Sequence, residues 1–595
     1  MPPLTIRPAA TCLLMAALVV SGMTSFGSSV RGASADERPG DIDAIREESR
    51  RLRSDLAREQ WAALTKARPE KRANLFRAHA ALLLPSTLEQ IRTARAAAAD
   101  SGEIRVLELL EVDLARFMML AGVASLDDEI ARQMAGLEAD VEDYPRPLTL
   151  KELDRWIARD PDSLRVRMLE SVRLALWRDR LDPLFEHRRT TIDSLAIALG
   201  YGGYTEFSTR LRRSDPGQIM ACLMTLVRAT DTMYQVLTRE LTQPIGPAPA
   251  RGGSRRYRLS TRDLVRLEWT EEFDRYVDSS PALARSFDST VHSNADSGRR
   301  PLPAVHVVPP EETREGHPPI VLSLDDVRAD VVAIDPPADI RILVTGLTGV
   351  AAARAALAAA GAARQRNGTA ESSPEGREAG SDLLAAAAGH LYAGLVSTPE
   401  WYETHRRLDR ETGRDSDITR LSDPNLARLI RWRLWCDLKW VRTELASGLL
   451  TELMQHRAGT DLWMPYIFVP VGADPREMIR QIRGFARGLE LTSAEAYDAY
   501  RPGDDFLGCL DEARGVALAA AVEERLRADL GPEWFLSPNV ADLPIFQTGD
   551  GWALRDEREQ VRLLTGTAGE LDFGALRRRY ERLFDWSEQV LERAR

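Results

Sequence analysis

The hydrophobic period of this chain is interrupted in one place. Over most of its 595 residues apolar side chains recur every three or four positions, as in "DIDAIREESRRLRSDLAREQWAALTKA", "EIRVLELLEVDLARFMMLAGV" and "DSLRVRMLESVRLALWRDRLDPLFEHR", the spacing that puts one apolar face on an α-helix. Asp41, at the head of the first of these, is placed to cap it. Between about 304 and 346 the pattern shortens to the β-branched runs "AVHVV", "PIVLSL", "DVVAI" and "IRILVTG", bounded by Pro or Asp, which read as strands. Helical spacing returns at about Val350 and continues to the C-terminus. The pattern predicts a mostly α protein with one small sheet in its middle. The Pro/Gly-rich "QPIGPAPARGGSRR" (243–256), "HSNADSGRRPLP" (292–303) and the polar "RQRNGTAESSPEGREAGSD" (364–382) read as loops.

Acidic residues outnumber basic ones, 90 to 79, a balance that argues against a nucleic-acid partner. At the N-terminus Arg7 precedes an 11-residue apolar run, "ATCLLMAALVV". That run is too short to span a bilayer and suits the h-region of a signal peptide. Ala33 and Ala35 offer the small residues of a cleavage site, so residues 1–35 are expected to be removed and the mature chain, from Asp36, to be exported to the periplasm or the exterior without a stable membrane span. The mature chain keeps Cys222, Cys436 and Cys509. Three cysteines make no disulfide framework, and they read as buried small hydrophobes.

The order of the pieces around the strand block resembles the gluzincin oligopeptidases: thimet oligopeptidase, oligopeptidase F and the angiotensin-converting-enzyme type. "IDPPADIRILVTG" is followed by an alanine-rich helix, "ARAALAAAGAARQR" (353–366), then by the polar loop, then by a second helix ending "LYAGLVSTPEW". "ALGYGGYTEFSTRLR" (198–212), "LKWVRTEL" (438–445) and "AAAVEERLRADLGPEWF" (519–535) are similar to further segments of that family, in the same order. The family's L-H-E-x-G-H-A motif falls on Leu357 to Ala363. Ala358 stands at the first His, Ala359 at the Glu, Gly361 at the Gly and Ala362 at the second His. Ala386, 386 − 362 = 24 positions beyond Ala362, stands at the third ligand.

The resemblance implies a zinc site, and the chemistry states what its loss means. Two His at i and i+4 share a helix face and reach one Zn²⁺. A carboxylate from a second helix completes three protein ligands, and the motif Glu takes a proton from the bound water. Alanine supplies neither a lone pair nor a base. On the residues alone, "AALAAAG" is also simply a strong helix-forming run with a glycine near its end. None of the eight histidines stands at i, i+4 to another. His390, one turn beyond Ala386, is the candidate for a rebuilt ligand. A family segment bearing an oxyanion-holding Tyr is matched by "DDFLGCLDEARG" (504–515), which puts Glu512 at the Tyr position and retains Arg514.

The resemblance implies a two-lobed, mostly helical fold around a deep groove: an N-terminal helical region over 36–300 and a degenerate catalytic region over 301–595, the latter comprising a small sheet (304–346) beside the vestigial helix and helices over 350–595. The functional expectation is a pseudoenzyme of the zinc oligopeptidases that needs no cofactor and binds a peptide or partner protein in the retained groove. The alternatives are an active peptidase with a rebuilt metal site and a structural subunit of an active paralogue.

Overall fold

The computed structural model describes residues 41–242, 305–308, 328–487 and 505–595, apart from short breaks inside those ranges, the longest at 547–554, 369–374, 376–381 and 456–461. The expected signal segment and its cleavage site, the "PIVLSL" run and the two Pro/Gly-rich loops lie outside the described residues. The remaining chain is mostly helical, as its periodicity predicts.

The helices before the strand block are α1 (Ile42–Thr65), α2 (Arg72–Ala78), α3 (Pro85–Ala97), α4 (Ser101–Gly136), α5 (Leu150–Arg159), α6 (Ser163–Leu176), α7 (Asp182–Ala198), α8 (Tyr204–Arg212), α9 (Pro216–Ala229) and α10 (Asp231–Thr242). Their starts are set locally. The Asp41 carboxylate accepts from the Asp43 N–H at 3.1 Å, and Asp100 accepts from Glu103 at 2.8 Å at the head of α4. Thr149 and Glu152 form a reciprocal capping box on α5, satisfying N–H groups that have no helical acceptor. The region contains one strand pair that periodicity did not reveal. Two-residue strands β1 (Glu138–Ala139) and β2 (Leu148–Thr149) are too short to register an alternation.

The middle sheet comprises β3 (Val305–Val308), β4 (Arg328–Asp335) and β5 (Asp339–Thr345), in the order β3-β5-β4. Val305 pairs with Ile342 in the parallel β3–β5 ladder, and Val331 with Ile342 in the antiparallel β4–β5 ladder. The alternation of β5 separates two environments. Ile340 and Ile342, with Val331 and Ala333 of β4, pack on Ala359 and Ala363 of the helix that follows. Arg341, between them in sequence, lies 5.4 Å from the ring of Trp61 on α1.

After the sheet come α11 (Gly349–Gly368), α12 (Leu383–Ala393), a 3₁₀ turn (Gly394–Ser397), α13 (Pro399–Glu411), α14 (Asp423–Gln455), α15 (Pro475–Arg487), α16 (Gly508–Leu530), α17 (Glu557–Thr565) and α18 (Gly574–Ala594). A hairpin of β6 (Leu462–Met464) and β7 (Ile467–Val469) interrupts what the sequence pattern suggested would be helices throughout. One hydrophobic core draws on both sides of residue 300. Ile45, Met119 and Leu223 belong to the same cluster as Trp435, Leu518 and Leu583. Cys436 and Cys509 are buried and Cys222 is half-buried, and none of the three is in a disulfide; burial pushes the Cys436 thiol up to about 12, out of the range where it would be reactive.

Candidate functional site

Helix α11 forms because alanine is the strongest helix former, yet it carries Gly361 in its interior, where glycine costs about 1 kcal/mol relative to alanine. The reason is α12. A β-carbon on Gly361 would stand 2.2 Å from the carbonyl oxygen of Ala388. A β-carbon on Gly389 would stand 3.0 Å from the carbonyl oxygen of Ala358. The two helices touch backbone to backbone. The contacts Ala358 to Gly389, Gly361 to Ala388 and the ion pair Arg366 to Asp382 (3.1 Å) run in opposite directions along the two helices, so α11 and α12 pair antiparallel. In this register the turn holding Ala362 comes level with the turn holding Ala386.

Helix α16 also packs closely on α12. A β-carbon on Gly515 would lie 2.6 Å from the Ala386 methyl carbon and 3.0 Å from the Ala387 nitrogen. Three glycines on three helices thus bring Ala358, Ala386 and the head of α16 together. Ala358 and Ala362 are half-buried. Ala359 is 2% exposed and packs on Ile340 and Ile342 of β5.

The other residues singled out from the sequence separate into two groups. His390 reaches across to α16, its Nε2 3.0 Å from Glu512 Oε2. Its ring lies 5.1 Å from that of Trp440 on α14. His390 is 13% exposed and Glu512 53%, so the pair sits at the surface end of the α12–α16 contact. Arg514 goes elsewhere. It is buried, bonds Asp511 Oδ1 at 2.9 Å and pairs with Glu557 at the start of α17. Two positions along a helix turn a side chain through about 200°, so Glu512 and Arg514 face opposite ways. Among the described residues, no group of three or more His, Cys, Asp or Glu side chains is gathered closely enough to hold a metal ion.

The head of α16 is held in an uncommon backbone conformation. Phe506 and Leu507 are both left-handed, with φ of 60° and 59°, which costs a non-glycine residue about 1–2 kcal/mol. Helix α8 holds them there. Arg212 Nε donates to the Phe506 carbonyl at 2.9 Å, and the Tyr204 hydroxyl accepts from the Leu507 N–H at 3.3 Å. The Phe506 ring lies between Tyr204 (5.6 Å) and Phe207 (5.1 Å). Arg212 also pairs with Asp511, which in addition accepts from the Asp382 N–H ahead of α12, at 3.2 Å. The "GYTEFSTRLR" segment therefore fixes where α16, and with it Glu512, meets α12. No local pattern signals this role, because its partners lie about 300 positions away.

A second cluster that sequence reasoning missed lies one turn before Ala358. Arg354 on α11 and Arg433 on α14 both contact Oδ1 of Asp437, at 3.4 and 3.0 Å. Burial alone would raise the Asp437 carboxyl, but Arg433, Arg354 and Arg579 hold it low. The i, i+4 spacing of Arg433 and Asp437 was its one trace in the sequence.

No family model matches this chain, and no curated protein is significantly similar to it. Among the described residues no helix is long and apolar enough to cross a membrane.

Proposed function

We propose that this protein is a non-catalytic relative of the zinc oligopeptidases, exported from the cell, which binds a peptide or a partner protein in the groove that the family uses for substrate. The reading is carried by one observation. Ala358 and Ala362 on α11 and Ala386 on α12 occupy antiparallel, touching helices, at the positions where the resemblance calls for three metal ligands. An alanine methyl can coordinate nothing, and Ala359 has no group to activate water. The order of small sheet, α11 and α12 along the chain supports the same reading.

The test uses the purified full chain, incubated with a peptide library with and without a zinc chelator, followed by metal analysis and a binding measurement with fluorescent peptides. The expected result is saturable peptide binding with no chelator-sensitive cleavage. About one zinc per chain together with chelator-sensitive turnover would overturn the reading.

The alternative of a rebuilt metal site draws on His390 and Glu512, two donor side chains 3.0 Å apart. A His390→Ala variant separates the two readings, because a site built on this pair loses its metal and a pseudoenzyme is unaffected.

A further inference from the structure

The Arg354–Arg433–Asp437 cluster has more positive charge and more donors than its partners can answer. Arg433 is 1% exposed and gives only its Nη2 to Asp437. Its Nε and Nη1 are shut off from solvent and have no acceptor among the described residues. Arg354 shares the same Asp437 oxygen, at 3.4 Å. Two guanidinium groups therefore divide one carboxylate. Arg579, which also lowers the Asp437 carboxyl, adds no negative charge here, because the Glu523 carboxylate it pairs with at 3.1 Å is itself shared with Arg527 and Arg582. The hydroxyl of Tyr580 on α18, a buried residue within electrostatic reach of Arg354, Arg433 and Asp437, is also without a partner among the described residues. A buried arginine keeps its charge, and a buried charge without a counter-ion is strongly unfavourable. What the cluster lacks is one negative charge able to accept several N–H and O–H bonds.

We propose that Arg433, Arg354 and Tyr580 form a binding site for one small monovalent anion of halide or formate size. The unsatisfied donors are closed to solvent, so the ligand is an ion small enough to enter alone. Its way in is along Arg354, whose side chain is 29% exposed on α11. Bound there, the anion supplies the second negative charge for the two arginines and fixes α11, α14 and α18 to one another beside the Ala358 turn. The site does not rest on the peptide-binding reading, and its failure would leave that reading untouched.

The experiment is thermal unfolding of the full chain in chloride, formate or gluconate at equal pH and ionic strength, gluconate being too large to be enclosed. Ligand binding to the folded state alone raises its stability with ligand concentration. The expected result is a saturable rise in Tm, on the order of 2 °C, in chloride and formate but not in gluconate. Arg433→Met, which removes the unpaired charge while keeping an unbranched apolar stem, abolishes the dependence. Tyr580→Phe keeps the buried ring and raises the anion concentration needed several-fold. If Arg433→Met does not fold, Tyr580→Phe and Arg354→Met carry the same test. An unchanged Tm across the three salts would overturn the site, as would full anion dependence retained in Arg433→Met or in both Tyr580→Phe and Arg354→Met.

Discussion

Gly361 lies so near Ala388 that a β-carbon on it would come within 2.2 Å of the Ala388 carbonyl oxygen and 2.8 Å of the carbonyl carbon. The obstacle is backbone in the middle of a packed helix, and no side-chain rotation relieves it. Helices α11 and α12 can keep their present spacing only with a hydrogen at position 361.

Gly361→Ala is therefore expected to destabilise the protein by about 2–4 kcal/mol, because the loss from forced separation of the helices exceeds the gain of about 1 kcal/mol in helix propensity. Gly136 is the control. It ends α4, and a β-carbon there meets nothing within 4 Å, so Gly136→Ala is expected to be neutral or mildly stabilising. Equal denaturant midpoints for the two variants would show that the close approach is not a real constraint.

Restoring the motif is expected to divide position by position. Ala359→Glu buries a carboxylate against Ile340 and Ile342, where nothing solvates it, and should cost about 3 kcal/mol. Ala386→Glu replaces a methyl that abuts Gly515 and should also destabilise. Ala358 and Ala362 are half-buried, so Ala358→His with Ala362→His should fold. That pair presents two imidazoles at i, i+4, and Zn²⁺ should raise the Tm of the double variant but of neither single one. A zinc response equal in single and double variants would refute the shared face. An Ala359→Glu protein as stable as wild type would refute the packing on β5.

Glu523 on α16 governs part of the acid stability. Burial would raise its carboxyl, but Arg579, Arg527 and Arg582 around it hold it down to about 2. A carboxylate depressed on folding contributes stability that is present above its unfolded pKa and lost as pH falls through the folded one. The contribution should fade between about pH 4.5 and 2. Glu523→Gln is expected to flatten that part of the stability curve and to cost about 3–5 kcal/mol at neutral pH, since it leaves the arginines around Glu523 without their shared counter-charge. An unaltered acid limb in the variant would contradict the assignment.

His405 acts in a different window. Burial lowers its imidazole to about 4, against a smaller opposing effect from Asp409, and its ring lies 4.4 Å from that of Trp401. Between about pH 6.5 and 4 the unfolded chain binds a proton that the folded chain refuses, so stability should fall by about 3 kcal/mol over that range as pH drops. His405→Phe should remove this slope while retaining the aromatic contact with Trp401. A slope that survives the substitution would place the titration elsewhere.

The residue pattern alone was enough to tell most helices from the longer strands. An apolar residue every three or four positions can form a face only on a helix, and "DVVAI" and "IRILVTG" can alternate only as strands. It also placed the Asp41 cap and the alanines at 358, 359, 362 and 386, because a cap is made by neighbours and a residue type is read directly. Two small exceptions mark the limit of that reading. The strands β1/β2 and β6/β7 are two or three residues long and leave no period to detect. Which residues meet was settled by packing in three dimensions. Gly361 appeared as a possible helix end until Ala388 was found against it. His390 and Glu512, 122 positions apart, became a pair. Arg514 turned away from Glu512 toward Glu557, and Arg354 and Arg433 converged on Asp437. Periodicity is a property of a few adjacent residues and their backbone geometry, whereas these meetings depend on how helices pack, and their partners lie tens to hundreds of positions away along the chain.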